Sequence, residues 1–196
     1  MQLTKYEIYH ENKCHTSLDF PYNTYLCTIP LDFNAVNIHW HEEIEIIVIK
    51  KGTGLVSVNL TEYKVYEGDA VFIMSGQLHS ISQLENSTME YENILFRPSM
   101  LKATGSDLCW EQFISPLISS VKSICPLICA DKMIESLSTP AYRAAQGTNG
   151  GFILMHSVGS LPNGNGIDIP MNYDDYYFLE ALIRKGRIEK GLAPVE

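Results

Sequence analysis

The chain contains no run that approaches the ~18–20 consecutive apolar residues of a membrane-spanning helix. Its first residues, Met1-Gln2-Leu3-Thr4-Lys5-Tyr6-Glu7, lack the apolar segment of a secretory leader, so a cytoplasmic location is expected. Positive charge is scarce: 14 Lys and Arg stand against 23 Asp and Glu, for a net charge of −9. Such a surface repels phosphate backbones and anionic lipid, so neither DNA binding by this chain nor membrane contact is expected. The one basic cluster, Arg184, Lys185, Arg187 and Lys190, reads as a helix C-terminus that complements the macrodipole. The cysteines number five, an odd count, at irregular positions 14, 27, 109, 125 and 129. That excludes a regular disulfide framework, and Cys125 and Cys129 lack the second pair a zinc ribbon needs.

The 196 residues, 45% of them hydrophobic, suffice for one core plus an appendage. Residues 1–21 read as a polar arm or edge strand. Tyr22 to Ile29 is β-branched and aromatic, and Pro30 stops it. From Ile38 to Phe96, short strand signals alternate with turn signals. Strands are expected at 44–49, 55–60, 63–66, 70–74, from His79, and at 88–96. Turns are expected at 50–54, 67–69 and 75–77. That texture indicates a β sandwich or barrel. Beyond Arg97-Pro98 it changes. Leu108–Ser120 has helical spacing interrupted by Pro116, and Val121–Leu137 is compatible with a helix broken near Pro126. Glycine-rich loops follow at 146–151 and 159–166, and a helix is expected from Asp174-Asp175 through Arg184.

The chemistry concentrates in Ile38-His39-Trp40-His41-Glu42-Glu43-Ile44-Glu45. On an extended strand, His39, His41 and Glu45 share parity and project from one face. Trp40 then faces the opposite way, into barrel packing, and Glu42 and Glu43 read as a solvated strand end. His79 adds a third imidazole from a separate strand. Together they make an N3O set suited to Zn, Ni, Mn, Fe or Cu, with geometry rather than ligand type choosing among them. The same four residues can instead line a pocket and bond one another or a ligand. Tyr25 and Phe33 are candidates for stacking on a ligand ring. No serine has a nucleophile-elbow sequence around it, so no catalytic residue is assigned.

The spacing His39-x-His41-x3-Glu45-x6-Gly52, followed by Gly68-x5-Met74-x-Gly76-x2-His79-x3-Gln83, resembles the two signature motifs of the cupin superfamily. Met74 replaces the usual proline and Gln83 the terminal asparagine. The wording around His39 and the later Ile94-Leu95-Phe96 look most like the N-terminal cupin of AraC-type transcription regulators, over about residues 20–118. The resemblance implies a mainly β fold, a double-stranded β-helix or jelly-roll barrel, whose mouth holds a small effector, often a sugar. It also implies that His39, His41, Glu45 and His79 form the pocket and, where a divalent metal is bound, its ligands; regulator cupins do not require one. A homodimer is a further option.

The tail resembles a different family. Phe152-Ile153-Leu154-Met155-His156 and the run Tyr176-Tyr177-Phe178-Leu179-Glu180-Ala181-Leu182 look like the C-terminal end of unsaturated glucuronyl and rhamnogalacturonyl hydrolases, over about 132–190. Those enzymes are toroids of paired helices, and this piece supplies roughly the last pair. Asp168, Asp174 and Asp175 read as loop and helix-start residues, and His156 as structural. The chain therefore divides into an AraC-type cupin domain at 1–118, a junction at 119–131, and a short helical tail at 132–196. The leading expectation is an effector-binding cupin derived from a regulator, without a helix-turn-helix domain, that takes a sugar or uronide. The alternatives are an enzyme, either a metal-dependent cupin or a residual uronyl glycoside hydrolase, and a non-functional gene fusion.

Overall fold

The computed structural model describes residues 6–17, 19–102, 107, 110–119, 124–156, 158–160 and 165–192. It falls into two compact units, Met1–Cys129 and Ala130–Glu196. Eight strands build the first: β1 (Tyr22–Ile29), β2 (Ala35–His39), β3 (Ile44–Val58), β4 (Thr61–Tyr66), β5 (Ala70–Ile73), β6 (His79–Gln83), β7 (Met89–Phe96) and β8 (Leu127–Ile128). All their pairings are antiparallel. The order is β1-β7-β3-β5-β8 on one side and β2-β6-β3-β4 on the other. This is the mainly β cupin barrel expected from the sequence.

The long strand β3 belongs to both sides, which corrects one expectation. Residues 50–54 are not a turn: β3 runs unbroken through them. Its first half pairs with β5 and β7 and its second half with β4 and β6. The glycines make the crossing possible. Gly52 takes φ +80°, and a Cβ there would sit 2.0 Å from the Thr88 carbonyl oxygen; a Cβ on Gly54 would meet Met89 Sδ at 2.3 Å. The β3–β7 register shifts between Ile49 and Lys51. Apart from Ile44 at the strand start, buried positions are accordingly odd before this bulge (Glu45, Ile47, Ile49) and even after it (Gly54, Val56, Val58), because one extra residue reverses which face a side chain takes.

The core joins Ile29, Ile47, Ile49, Val56, Val65, Val71, Ile81, Met89 and Tyr91, all buried. Each fully buried aliphatic side chain contributes about 1.5–3 kcal/mol of transfer free energy. The stretch expected as a broken helix at 121–137 divides instead. Leu127–Ile128 forms β8 against β5, Phe72 N donates to the Pro126 carbonyl (2.8 Å), and the helix α2 starts only at Ala130. Proline has no N–H to give a helix, yet its carbonyl serves a sheet edge. Near Pro116, a π turn at Trp110–Ile114 leads into a short helix, α1 (Ser115–Ile118), where the proline occupies the first turn and is tolerated. Leu108, Cys109 and Ser120 lie outside the described residues, as do 121–123 and part of the second glycine-rich loop.

The second unit comprises α2 (Ala130–Leu137), the small antiparallel pair β9 (Val158–Ser160) and β10 (Asn165–Ile167), and α3 (Asn172–Ile188). The last helix begins two residues before the expected Asp174. Asp175, in its first turn, accepts the backbone N–H groups of Ile153 (2.7 Å) and Leu154 (2.8 Å). Lys185 bonds Asp131 of α2 at 2.6 Å.

Candidate functional site

The four sequence-predicted residues do converge, but not along one strand. His39 ends β2 and pairs in register with His79, the first residue of β6. His41 lies in the segment that connects β2 to β3, held by Gly76 N donating to its carbonyl (2.9 Å), and Glu45 is on β3 opposite Ile73 and Leu95. The ring centroids of His39 and His79 are 4.1 Å apart, and those of His41 and His79 5.0 Å. One oxygen of Glu45, Oε2, lies 3.1 Å from His41 Nε2 and 3.0 Å from His79 Nε2. The first contact is a hydrogen bond and the second an ion-pair contact.

Electrostatics follow from burial and these contacts. Burial opposes ionisation of Glu45, but His41 and His79 outweigh it and hold the carboxyl at about 2. Burial pulls His41 down, yet the Glu45 hydrogen bond and the charges of Glu45, Glu43 and Glu11 raise it overall. His39 is lowered, by burial and by the neighbouring His79. The Nδ1–H groups of His39 and His79 are directed at the carbonyls of Asn37 (2.8 Å) and Gln77 (2.9 Å). For His39 that tautomer leaves a lone pair on Nε2, whereas His79 Nε2 faces the Glu45 carboxylate.

Two neighbours behave differently from expectation. Glu43 is not solvated: it is buried, accepts the Thr16 hydroxyl (2.7 Å), and stands 3.6 Å from His41 Nδ1. Arg97 Nε in turn donates to Thr16 Oγ1 at 2.8 Å. Only Glu42 fits the solvated reading, exposed and paired with His10. Trp40 does not pack in the barrel; it stacks on Tyr6 and His10, and its Nε1–H donates to the Tyr6 carbonyl. The cause is the N-terminal arm, which lies along this segment through Glu11 N to Trp40 O and Trp40 N to Tyr9 O.

The arm also contributes to a cavity of about 350 Å³ that His39, His41 and Glu45 line, while His79 stands behind them against Glu45. Glu11, Lys13 and His15 of the arm line it, with Tyr25 and Phe33, the two aromatic candidates. His15 Nε2 bonds Glu11 (2.7 Å) and its Nδ1 contacts the Tyr25 hydroxyl (3.2 Å), while Lys13 Nζ lies 4.5 Å from the Tyr25 ring centre. Sequence reasoning missed the arm residues, which carry no spacing signal, and also missed Tyr91 and Asn93 on β7. Those two were readable in principle: Tyr91-x-Asn93-x-Leu95 places polar groups at the inward parity of a strand.

A family model described as the AraC-like ligand binding domain matches residues 30–140. The chain belongs to that family. Its cupin stretch is accordingly an effector-binding domain of the kind transcription regulators carry. Among curated relatives, the uncharacterized HTH-type transcriptional regulator YdeC of Bacillus subtilis is 37% identical over 78 residues, 39% of this chain and 27% of that protein. The unsaturated glucuronyl hydrolase of Formosa agariphila is 48% identical over 56 residues, 29% of this chain and 14% of that enzyme. The chain thus spans about a quarter of the first and a seventh of the second. Among solved structures, a cupin protein from Bacteroides fragilis aligns with a TM-score of 0.38 at 19% identity, covering 43% of this chain and 73% of that one.

The residues here fit a metal ion. His39, His41 and His79 each offer a ligand atom, all within 4.8 Å of one another. His79 Nε2 and His41 Nδ1 are buried without a hydrogen-bond partner. Three imidazoles with Glu45 beside them form a borderline donor set that accepts Zn, Ni, Mn or Fe. Among the described residues, no helix is long and apolar enough to cross a membrane.

Proposed function

We propose that the barrel is a sensor for a sugar or uronide, which enters the cavity and rests on His39, His41 and Glu45, with His79 behind Glu45. The observation that supports this reading is the cavity itself. Its volume is at the small end of the ~300–1,000 Å³ typical of small-molecule sites. It combines ring faces (Tyr25, Phe33) with a dense set of hydrogen-bonding groups, the mixture a hydroxylated ring needs. Lys13 is the lining group that would meet a uronide carboxylate. A thermal-shift screen against neutral sugars, uronides and divalent metals tests the reading, because a ligand that binds only the native state raises its stability. A rise with a sugar or uronide is expected; none with any of them would overturn it.

A second reading, a metal-holding cupin, is favoured by the grouping of His39, His41 and His79, whose ligand atoms lie within 4.8 Å of one another. Zn or Ni would then raise the melting temperature of the native chain but not of His79→Ala. The hydrolase likeness of the tail supports a fusion origin, tested by sequencing the locus: an intact separate regulator and hydrolase would refute it. A residual hydrolase is the weaker alternative, because Asp175 is engaged with the Ile153 and Leu154 backbone and Asp168 with His156 (2.5 Å). Turnover of unsaturated uronides that vanished in Asp168→Asn would restore it. Dimerisation is tested by sedimentation. DNA binding is not expected of a chain with net charge −9; a specific gel shift would overturn that.

A further inference from the structure

The cavity has polar groups that the His39, His41, Glu45 and His79 cluster does not use. Tyr91 is fully buried, and its hydroxyl has no nitrogen or oxygen partner, the Cys27 thiol being the polar side chain beside it. Asn93 Oδ1 is buried and also without a partner. Both residues line the cavity.

Their placement follows from register. On β7, Leu95 lies opposite Glu45 of β3, Asn93 opposite Ile47, and Tyr91 opposite Ile49; across β1, Asn93 faces Tyr25 and Tyr91 faces Cys27. Successive inward positions are roughly 7 Å apart along a strand. Asn93 therefore stands one step, and Tyr91 two steps, along the barrel wall from the level of Glu45. The intervening inward positions of β3 are Ile47 and Ile49, which offer neither group a bond.

A buried polar atom left unbonded is destabilising, and isosteric apolar replacement removes that cost. A core that needed only packing at these positions would be more stable with Phe and Leu. Retained polar atoms on residues that line a cavity indicate a partner that arrives with the ligand. A phenol and a carboxamide each donate and accept, which is the pattern that hydroxyl groups satisfy; a carboxylate or metal would satisfy only the donors or only the acceptors.

We propose that Tyr91 and Asn93 form the hydroxyl-recognition side of the cavity, a second polar pole that binds ring hydroxyls of a sugar whose other end reaches the His41–Glu45 pair. This rests on the sensor reading above and adds to it the residues that select among hydroxylated ligands. The pair is specificity-determining because a ligand that lacks a matching hydroxyl leaves these atoms buried and unpaired.

The test uses the full chain and its Tyr91→Phe and Asn93→Leu variants, with L-arabinose, D-xylose, L-rhamnose, D-glucuronate and D-galacturonate as probes in thermal shift and calorimetry. Without ligand, both variants are expected to melt at or above the wild-type temperature. For the probe that wild type binds tightest, each is expected to lose at least tenfold in affinity. Affinity within threefold of wild type in both variants would overturn the proposal while leaving the sensor reading intact. A variant that melts several degrees lower, or fails to fold, would show that its polar group is structural and would overturn the proposal for that residue. If wild type binds none of the five, the sensor reading fails and this proposal with it.

Discussion

In the barrel, Ile47, Ile49, Val56, Val65, Val71 and Ile81 are each almost completely removed from water. The described residues of the tail contribute three buried apolar side chains, Ile134, Leu154 and Phe178, while Tyr176, Tyr177 and Ile183 of α3 are more than half exposed. The two regions also use their carboxylates differently. Glu45 and Glu43 are buried and bonded to histidine or hydroxyl partners at a cavity, whereas Asp175 is bonded to backbone N–H groups and Asp131 to a surface lysine. A closed barrel tolerates buried charge because its framework is held by many independent contacts. A small helical unit has few such contacts, and its charges serve to hold the framework itself.

The sharpest probe of this contrast is a large-to-small change in each region. Ile47→Ala should cost the barrel about 2–5 kcal/mol in urea titration, leaving it folded at room temperature. Phe178→Ala should have the more drastic local outcome, because the tail has few other buried apolar residues among those described; hydrogen exchange across α3 would rise to unfolded rates. Equal protection of α3 in wild type and variant would break the comparison.

The buried carboxylate gives a pH-dependent test. The folded-state pKa of Glu45, about 2, lies below its ordinary value of 4.5. A depressed carboxylate contributes stability that is present above the unfolded pKa and lost as pH falls through the folded one. Wild type should therefore lose on the order of 3 kcal/mol between about pH 4.5 and 2 that Glu45→Gln does not lose. His41 has the opposite sign: its pKa is raised, so its contribution is present below pH 6.5 and fades at higher pH. Coincident wild-type and Glu45→Gln slopes in acid would show that the cavity carboxylate is not held by its histidines.

In the tail, Asp175→Ala should cost about 2 kcal/mol by stranding the Ile153 and Leu154 N–H groups. Faster amide exchange at those two residues would mark it. The smallest effect is expected from Lys185→Ala. Its partner Asp131 is largely exposed, so the melting temperature should be unchanged within error and insensitive to salt. A measurable loss there would mean that the tail depends on surface ion pairs more than its burial suggests.

The alternation of apolar runs with glycine turns was enough to place β1 and β7 to within a residue and to mark the turns at Gly68 and Gly76, both at positive φ. Motif spacing picked out His39, His41, Glu45 and His79 because the chemistry of a donor set is written in residue type. What spacing could not give was the route: parity assumes one straight strand, whereas the chain bends between β2 and β3 and regains convergence through the His39–His79 pairing. The same limit explains Glu43, whose neighbours Thr16 and Arg97 are distant in sequence, and the unbroken passage of β3 through Lys50–Gly54.

The His39–Glu45 stretch thus marks the division. Sequence by itself determined a β sandwich or barrel, through local periodicity, and, through motif spacing that resembles the cupin signature, singled out His39, His41, Glu45 and His79 as residues that come together. Only the tertiary structure decided that Glu43 is buried, that Glu11, Lys13 and His15 of the arm line the cavity, and that Tyr91 and Asn93 face it unbonded. Burial and partnership are properties of what the rest of the chain brings close, and no local pattern records them.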